Sequence, residues 1–118
     1  AGGVATARGL ATVWSAVADA RILDEGTRQR ATRVRSEGAP HFAAPGPWPR
    51  WGMGFQLDSE ARRYLTPTSL GHDGAGGQVA FADPDYRVGF AFLTNEMEAG
   101  DDRATRVVDA LREVLVAR

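Results

Sequence analysis

Hydrophobic residues near the start of the chain recur with the spacing of an amphipathic helix. The apolar positions follow the i, i+3, i+4, i+7 pattern and are Ala7, Leu10, Ala11, Trp14, Val17 and Ala18. Thr6 stands just before this stripe and is the predicted N-cap. Asp24 is a second capping residue, and the charged stretch after it predicts a helix over residues 25–34. Its arginines are interpreted as a solvated face because acidic residues flank them.

The middle of the chain changes from helical spacing to alternation. Four of the six prolines lie within residues 40–49, which excludes a regular element and predicts a loop with Trp48 and Trp51 at its exit. Residues 51–57 alternate with a period of two and predict one strand, against whose glycines another backbone would pack closely. Residues 58–68 predict a polar turn region.

The last third of the chain predicts two more strands and a helix. Residues 78–82 and 87–94 are the strands, the second apolar enough to be central, and residues 83–86 join them as a hairpin turn. Asp101 or Asp102 caps the predicted helix, whose buried stripe is Val107, Val108, Leu111, Val114 and Leu115.

The predicted order of helix, helix, strand, strand, strand, helix indicates an α+β fold with an antiparallel sheet. We expect one segment over residues 1–118. It comprises a helical part (1–40), a proline-rich loop (41–50), and sheet strands with a terminal helix packed on them (51–118).

Composition narrows the classes of protein that the chain fits. Hydrophobic residues make up 43% and charged residues 25%, as in ordinary globular domains. The 14 basic and 15 acidic residues give no electrostatic case for nucleic acid, and no apolar run approaches the ~20 residues of a membrane span. Cysteine is absent and only two histidines are present, so we expect no disulfide, no metal site and no cofactor.

All the basic residues are arginine, which favours a GC-rich bacterial source. Without lysine the chain cannot supply a lysine base, a Schiff-base former or a P-loop phosphate ligand. The composition leaves the compartment open, with the cytoplasm favoured. The chain starts at Ala1 without a methionine and runs straight into a helical pattern, which we interpret as the middle of a longer protein.

The segment L-G-H-D-G-A-G-G-Q at residues 70–78 is the most unusual in the chain. Its glycines enter a strand rather than a helix, so it does not fit a phosphate loop. Metal binding by His72 with Asp73 is not favoured, because strand neighbours point to opposite faces. Glycines at this position allow a ligand to approach closely and leave main-chain N–H groups for an oxyanion. Taken alone, the residues fit a tight glycine turn beside a core histidine equally well.

These residues resemble the C-terminal part of a serine β-lactamase-fold hydrolase of the class C β-lactamase-like or family VIII carboxylesterase type. The resemblance rests on H-D-G-A-G-G (72–77), V-A-F-A-D-P (79–84), V-G-F-A-F-L-T-N (88–95) and the terminal helix. W-G-M-G-F (51–55) is similar to the strand that precedes the third motif of that family, and residues 2–11 resemble a helix that follows its active-site segments. Residues 20–50 match less convincingly.

The resemblance implies acyl transfer by the serine of an S-x-x-K motif, with its lysine and the tyrosine of a Y-x-N motif moving protons. His72 would take the first position of the third motif, Asp73 the middle position and Gly74 the glycine. Ala75 would then supply one backbone N–H of the oxyanion hole. Gly76 and Gly77 would keep this wall flat enough for a substrate.

Departures from the K-T-G form of the third motif bear on the substrate. Histidine and aspartate replace a fixed cation and a hydroxyl, and an Asp73 that faces the pocket would repel an anionic substrate. We therefore expect a neutral small-molecule ester as substrate, in an esterase-like or lipase-like reaction. A β-lactamase or penicillin-binding-protein-like amide hydrolase is the alternative.

The first two motifs of the family are missing from this chain. S-x-x-K is impossible without lysine, and neither Tyr64 nor Tyr86 forms Y-x-N. The expected partner is an N-terminal part of the same protein that carries both motifs, and the chain alone is predicted to be inactive. A non-catalytic binding module derived from the fold is a further alternative, as is a degenerate member of the family that lacks the serine altogether.

The remaining chemically interesting residues have ordinary structural interpretations. His41 is expected on the surface, and Trp48 and Trp51 are expected to pack on the sheet, although they could floor an acyl pocket. Four carboxylates are expected to form turns, and they are Asp58, Glu60, Asp83 and Asp85.

Overall fold

The computed structural model describes residues 2–116, which form one antiparallel sheet with helices on both of its faces. The helices are α1 (Ala7–Ala18), α2 (Glu25–Ala31) and α3 (Arg103–Leu115). The strands are β1 (Arg50–Trp51), β2 (Gln56–Leu57), β3 (Leu70–Gly74), β4 (Gln78–Asp83) and β5 (Val88–Phe92), and they neighbour each other in chain order. The predicted α+β fold with an antiparallel sheet is confirmed.

The first two helices begin where their capping residues predict. The Thr6 hydroxyl accepts from the Gly9 N–H at 3.0 Å, and the Asp24 carboxylate accepts from the Thr27 N–H at 2.8 Å. Helix α2 ends at Ala31, three residues before the predicted end. Beyond it the chain pairs with β1 through a bridge between Ser36 and Trp51, so a long-range pairing replaces the last helical turn.

Residues 51–57 do not form the single strand that their alternation predicts. They fold as a hairpin in which β1 and β2 pair antiparallel, with Trp51 opposite Gln56. Gly54 adopts φ +79° in the turn, a left-handed conformation that carries little penalty for glycine. Met53 is 61% exposed at this turn. A backbone does pack against Gly52, since a Cβ there would overlap the Ala31 carbonyl oxygen.

Strand β3 adds to the predicted sheet and contains the glycine-rich motif. It pairs with β4 along its whole length, from Leu70 opposite Ala82 to Gly74 opposite Gln78. The predicted hairpin between β4 and β5 is confirmed. Strand β5 is the last strand of the described sheet rather than a central one. Its large apolar residues Val88, Phe90 and Phe92 pack on the cluster on the α3 side, while α1 lies on the other face, so close that a Cβ on Gly89 would overlap its backbone.

Each face of the sheet has its own hydrophobic cluster. The cluster on the α3 side consists of Tyr64, Leu65, Val79, Phe81, Ala104 and Val108. The cluster on the α1 side consists of Val17, Ala18, Leu57, Leu70 and Ala82. The predicted stripe of α3 is only partly right. Val108 is buried and Leu111 and Leu115 pack on the cluster, but Val107 and Val114 are 44% and 52% exposed.

The loops hold buried polar groups that organise the turns. The carboxylate of Asp83 is buried and accepts hydrogen bonds from the hydroxyls of Thr66 and Ser69 and from the Tyr86 N–H. The Asp58 carboxylate accepts from the Tyr64 N–H at 2.7 Å. The turn-forming roles of Asp83 and Asp58 are therefore confirmed. At the start of α3 the side chain of Asp101, and not that of Asp102, accepts a hydrogen bond from the backbone N–H of Arg103.

None of the helices described is long and apolar enough to cross a membrane.

Candidate active site

One edge of strand β3 is covered for only part of its length. Strand β2 pairs with β3 at Leu70 and Gly71 alone, whereas β4 pairs with the opposite edge as far as Gly74. From His72 onward, the β2-facing edge has no partner strand within residues 2–116. An unpaired strand edge presents backbone N–H and C=O groups that can hold a ligand.

The side chain of Gln56 covers this open edge at one point. Its Oε1 accepts a hydrogen bond from the Asp73 N–H at 2.9 Å and another from the Tyr64 hydroxyl at 3.2 Å. The Asp73 amide therefore faces the β2 side of the strand. The Gly74 carbonyl oxygen accepts from the Gly77 N–H at 3.3 Å on the β4 side, and because a trans peptide directs its C=O and N–H groups oppositely, the Ala75 N–H faces the β2 side, just beyond the last pair of the β3–β4 ladder.

His72 lies on the side of the sheet that carries α1. It is exposed, and its imidazole ring lies 5.4 Å from the indole ring of Trp51. The interpretation of His72 as a core histidine is therefore wrong. Trp51 packs on the sheet through this contact, as expected for an aromatic residue in a strand. The role of His72 in the third motif stays a prediction.

Asp73 points to the opposite side of the sheet. Its carboxylate forms an ion pair with Arg62 at 3.1 Å, and Arg62 also donates to the Thr105 hydroxyl of helix α3 at 2.9 Å. Asp73 therefore does not share the face of His72, because neighbouring strand residues project to opposite faces, and its role in substrate binding stays a prediction. Arg62 also balances its charge, so this carboxylate does not repel an anionic substrate from the His72 side.

Gly76 and Gly77 form the turn between β3 and β4. Their φ angles are +83° and +106°, which few residues other than glycine adopt. A Cβ on Gly76 would lie 2.6 Å from the Met97 side chain, and one on Gly77 would overlap Asp101. The segment before α3 therefore requires glycine at both positions. Their part in keeping a substrate wall flat stays a prediction, as does that of Gly74 at the end of β3.

The buried hydroxyl groups of Tyr64 and Ser69 are engaged in structural contacts. Tyr64 is fully buried, and burial raises the pKa of its phenol well above the usual value, with nearby Asp73 adding to the effect. Ser69 donates to Asp83. Within residues 2–116 no serine hydrogen-bonds to a histidine, and no three histidine or acidic side chains converge as metal ligands would. The arrangement offers backbone donors to a substrate and not a nucleophile.

An open cavity of about 830 Å³ lies beside this edge, lined by residues from the segment 34–51. Its lining includes Trp48, Trp51 and Phe42 together with the prolines of the loop, and His41 contributes to it from an exposed position. The third motif does not line the cavity, but Trp51 touches both. The clustering of aromatic residues and proline was the only signal for this cavity in the sequence. The sequence contained no signal for the role of Gln56, because a polar residue in an alternating strand is ordinarily a surface residue.

Several known proteins are similar to this chain. The Beta-lactamase family model matches residues 1–113, while no curated protein matches by sequence. Among solved structures, EstA from Arthrobacter nitroguajacolicus Rue61a is 25% identical with a TM-score of 0.81, covering 96% of this chain and 32% of its own. A family VIII carboxylesterase is 29% identical with a TM-score of 0.79, covering 93% and 32%.

A further similar structure is a penicillin-binding protein homolog from Caulobacter crescentus. It is 33% identical with a TM-score of 0.79, and the match covers 94% of this chain and 32% of that protein. The chain thus spans about a third of the length of each of these solved proteins. Because the family model covers nearly all of its residues, the chain belongs to the Beta-lactamase family.

Proposed function

We propose that this chain is the C-terminal part of a serine hydrolase that cleaves uncharged carboxylic esters through an acyl-enzyme. The observation that carries the proposal is the open edge of β3, where the Ala75 N–H is the first backbone donor beyond the one that Gln56 occupies. The nucleophilic serine, its lysine and the tyrosine would lie on an N-terminal part that carries S-x-x-K and Y-x-N.

In this reaction the serine oxygen attacks the ester carbonyl carbon, and the carbonyl electron pair moves onto its oxygen. That oxyanion accepts a hydrogen bond from the Ala75 N–H, a contribution of about 3 kcal/mol to the transition state. Collapse of the intermediate expels the alcohol, which takes up a proton, and leaves the acyl group on the serine. Water then attacks the acyl-enzyme, releases the acid and regenerates the serine.

Two features favour an ester over a substrate that carries a carboxylate. His72 replaces the lysine of K-T-G and so removes a permanent cation that would attract a negative charge. One of the similar structures is named a family VIII carboxylesterase. Repulsion by Asp73 does not contribute, because that carboxylate is paired with Arg62 on the other side of the sheet.

An amide hydrolase of the penicillin-binding-protein type is the second candidate. One similar structure is named as a homolog of that class and shares 33% identity with this chain. The ion pair of Asp73 with Arg62 also removes the electrostatic objection to an anionic substrate. Relative rates on p-nitrophenyl butyrate and on nitrocefin, a β-lactam, distinguish the two candidates.

The test compares two polypeptides, the 118-residue chain and a version extended at its N-terminus to include the upstream serine motif. A fluorophosphonate probe, which reacts with activated serines, should label the extended protein and leave the shorter chain unlabelled. In the extended protein, Ala75→Pro removes the N–H and should lower kcat for p-nitrophenyl butyrate by about 10² to 10³-fold. Ala75→Ser keeps the N–H and is the control.

Full activity of Ala75→Pro would contradict the role of this backbone donor. An extended protein that the probe does not label would favour a non-catalytic binding module or a degenerate member of the family. Faster turnover of nitrocefin than of the ester would favour the amide hydrolase.

A further inference from the structure

The open cavity lined by residues from the segment 34–51 is joined to the candidate active site by an aromatic contact. Trp51 forms part of the cavity lining, and its ring lies 5.4 Å from that of His72 on the exposed face of β3. A volume of about 830 Å³ falls within the range of small-molecule sites. A ligand that lies along the open edge of β3 would therefore reach this cavity by passing over His72 and Trp51.

Aromatic and proline side chains supply a large part of the cavity lining. Phe42 is 74% exposed, which leaves a large aromatic surface without a protein partner in the described residues. The Trp48 indole N–H already donates to the Ala44 carbonyl oxygen at 3.0 Å, so its ring offers an apolar face and no free donor. Several prolines of the loop complete this wall without adding backbone donors.

The charged groups around the cavity do not form a site for an ionic ligand. Glu37 is held in an ion pair with Arg50 at 3.0 Å, so its charge is balanced at the wall. The Arg35 side chain, which also lines the cavity, has its guanidinium 4.0 Å from the sulfur of Met53. An uncharged apolar group is therefore the occupant that this lining fits best.

We propose that the cavity binds the extended apolar chain of the ester and so selects for long substrates. This inference rests on the proposed function, because it takes the reacting carbonyl to lie at the Ala75 N–H. His72 lies three residues before Ala75, or roughly 10 Å at ~3.3 Å per residue of extended chain. A butyryl group is too short to cover this distance, whereas a decanoyl group reaches His72, whose ring contacts Trp51 of the cavity lining.

Binding is measured first, without any need for turnover, in the N-terminally extended protein. Decan-2-one is an uncharged, non-hydrolysable analogue of a long ester, and butan-2-one is the short control. Because Trp48 and Trp51 line the cavity, binding should change the tryptophan fluorescence. Each buried CH₂ group improves binding by about fourfold, so decan-2-one should bind at least about tenfold more tightly than butan-2-one.

Two variants connect that binding to the cavity. Phe42→Asp places a charge in the lining, and Ala44→Phe fills the space without adding a charge. Each should weaken decan-2-one binding by about tenfold and lower the decanoate-to-butyrate ratio of kcat/KM for p-nitrophenyl esters to a similar extent. Ile22→Asp changes another exposed apolar residue, 57% exposed and outside the cavity, and should leave both quantities as they are.

Equal binding of the two ketones, or unchanged binding in both cavity variants, would overturn the proposal. That result would also follow if residues outside this chain fill the cavity. If decan-2-one binds and the variants weaken it, but the protein hydrolyses no ester, the cavity is a ligand site and the proposed function fails. If the protein hydrolyses short and long esters equally, the proposed function stands and the cavity is not part of it.

Discussion

The buried side chain of Gln56 joins β2, β3 and the loop that precedes β3, so its removal should affect both stability and the open edge. Its Oε1 is the acceptor for the Tyr64 hydroxyl and for the Asp73 N–H. Gln56→Leu keeps a side chain of similar length and removes this acceptor. A buried donor left without a partner costs about 1–3 kcal/mol, and the Asp73 amide is only partly buried. We expect a loss of roughly 2–4 kcal/mol in the free energy of unfolding.

Urea unfolding followed by tryptophan fluorescence measures this loss, with the slope m checked for constancy. The exposed Gln29 of helix α2 provides the matched control, and Gln29→Leu should change stability by less than about 0.5 kcal/mol. A double-mutant cycle with Tyr64→Phe isolates the hydroxyl contact, because the second substitution removes the donor that the first one strands. The double variant should be more stable than the sum of the two single losses predicts, by about 1 kcal/mol.

This account of Gln56 is refuted if the losses in that cycle are additive. It is also refuted if Gln56→Leu lowers the free energy of unfolding no more than Gln29→Leu does. In the extended protein the same substitution frees the Asp73 N–H next to the proposed oxyanion donor. A second free donor on the same edge should let the ester bind out of register, so that kcat falls more than KM rises.

Three other outcomes are expected from the contacts in the fold. Asp83→Ala removes three hydrogen bonds to a buried carboxylate and should lower the free energy of unfolding, measured in urea, by about 3 kcal/mol. The control Asp85→Ala, at an exposed residue, should lower it little, and equal losses would contradict the role of Asp83. Gly89→Ala forces helix α1 away from β5 and should lower the free energy of unfolding by about 1–3 kcal/mol. Gly3→Ala, in open space, should leave it unchanged. If Gly89→Ala also leaves it unchanged, the helix shifts freely. The pKa of Tyr64 is raised by burial, so the unfolded state loses its phenol proton first and stability should fall as the pH rises above about 10. Tyr64→Phe should remove that part of the alkaline loss, and an unchanged pH profile of urea midpoints would count against it.

Elements with short-range signals were predictable from the sequence. The caps Thr6 and Asp24 bond to amides three residues away, and the helical stripe of α1 repeats within one element. The hairpin of β4 and β5 follows from a turn sequence beside two apolar runs. Such signals lie within a few residues of what they determine, so they can be interpreted without knowing the tertiary structure.

The hairpin at residues 51–57 shows where this reasoning fails. Alternation alone predicts a continuous strand, and it is the left-handed Gly54 together with the Ser36–Trp51 bridge that turns the chain back. Strand β3 was similarly hidden by its glycines, which lower strand propensity although β4 pairs with every residue of it.

The candidate site likewise has features that the sequence determined and features that depend on the tertiary structure. The sequence by itself determined that His72, Asp73 and Ala75 lie within four residues of one motif and that this chain has no lysine to assist them. Only the tertiary structure decided that Asp73 forms an ion pair with Arg62 and that the ring of His72 contacts that of Trp51. It also decided that Gln56 accepts from one backbone amide of the edge, that of Asp73, and not from the next. The physical reason is that the use of a strand edge depends on how far its neighbours pair with it, which residues distant in the chain decide.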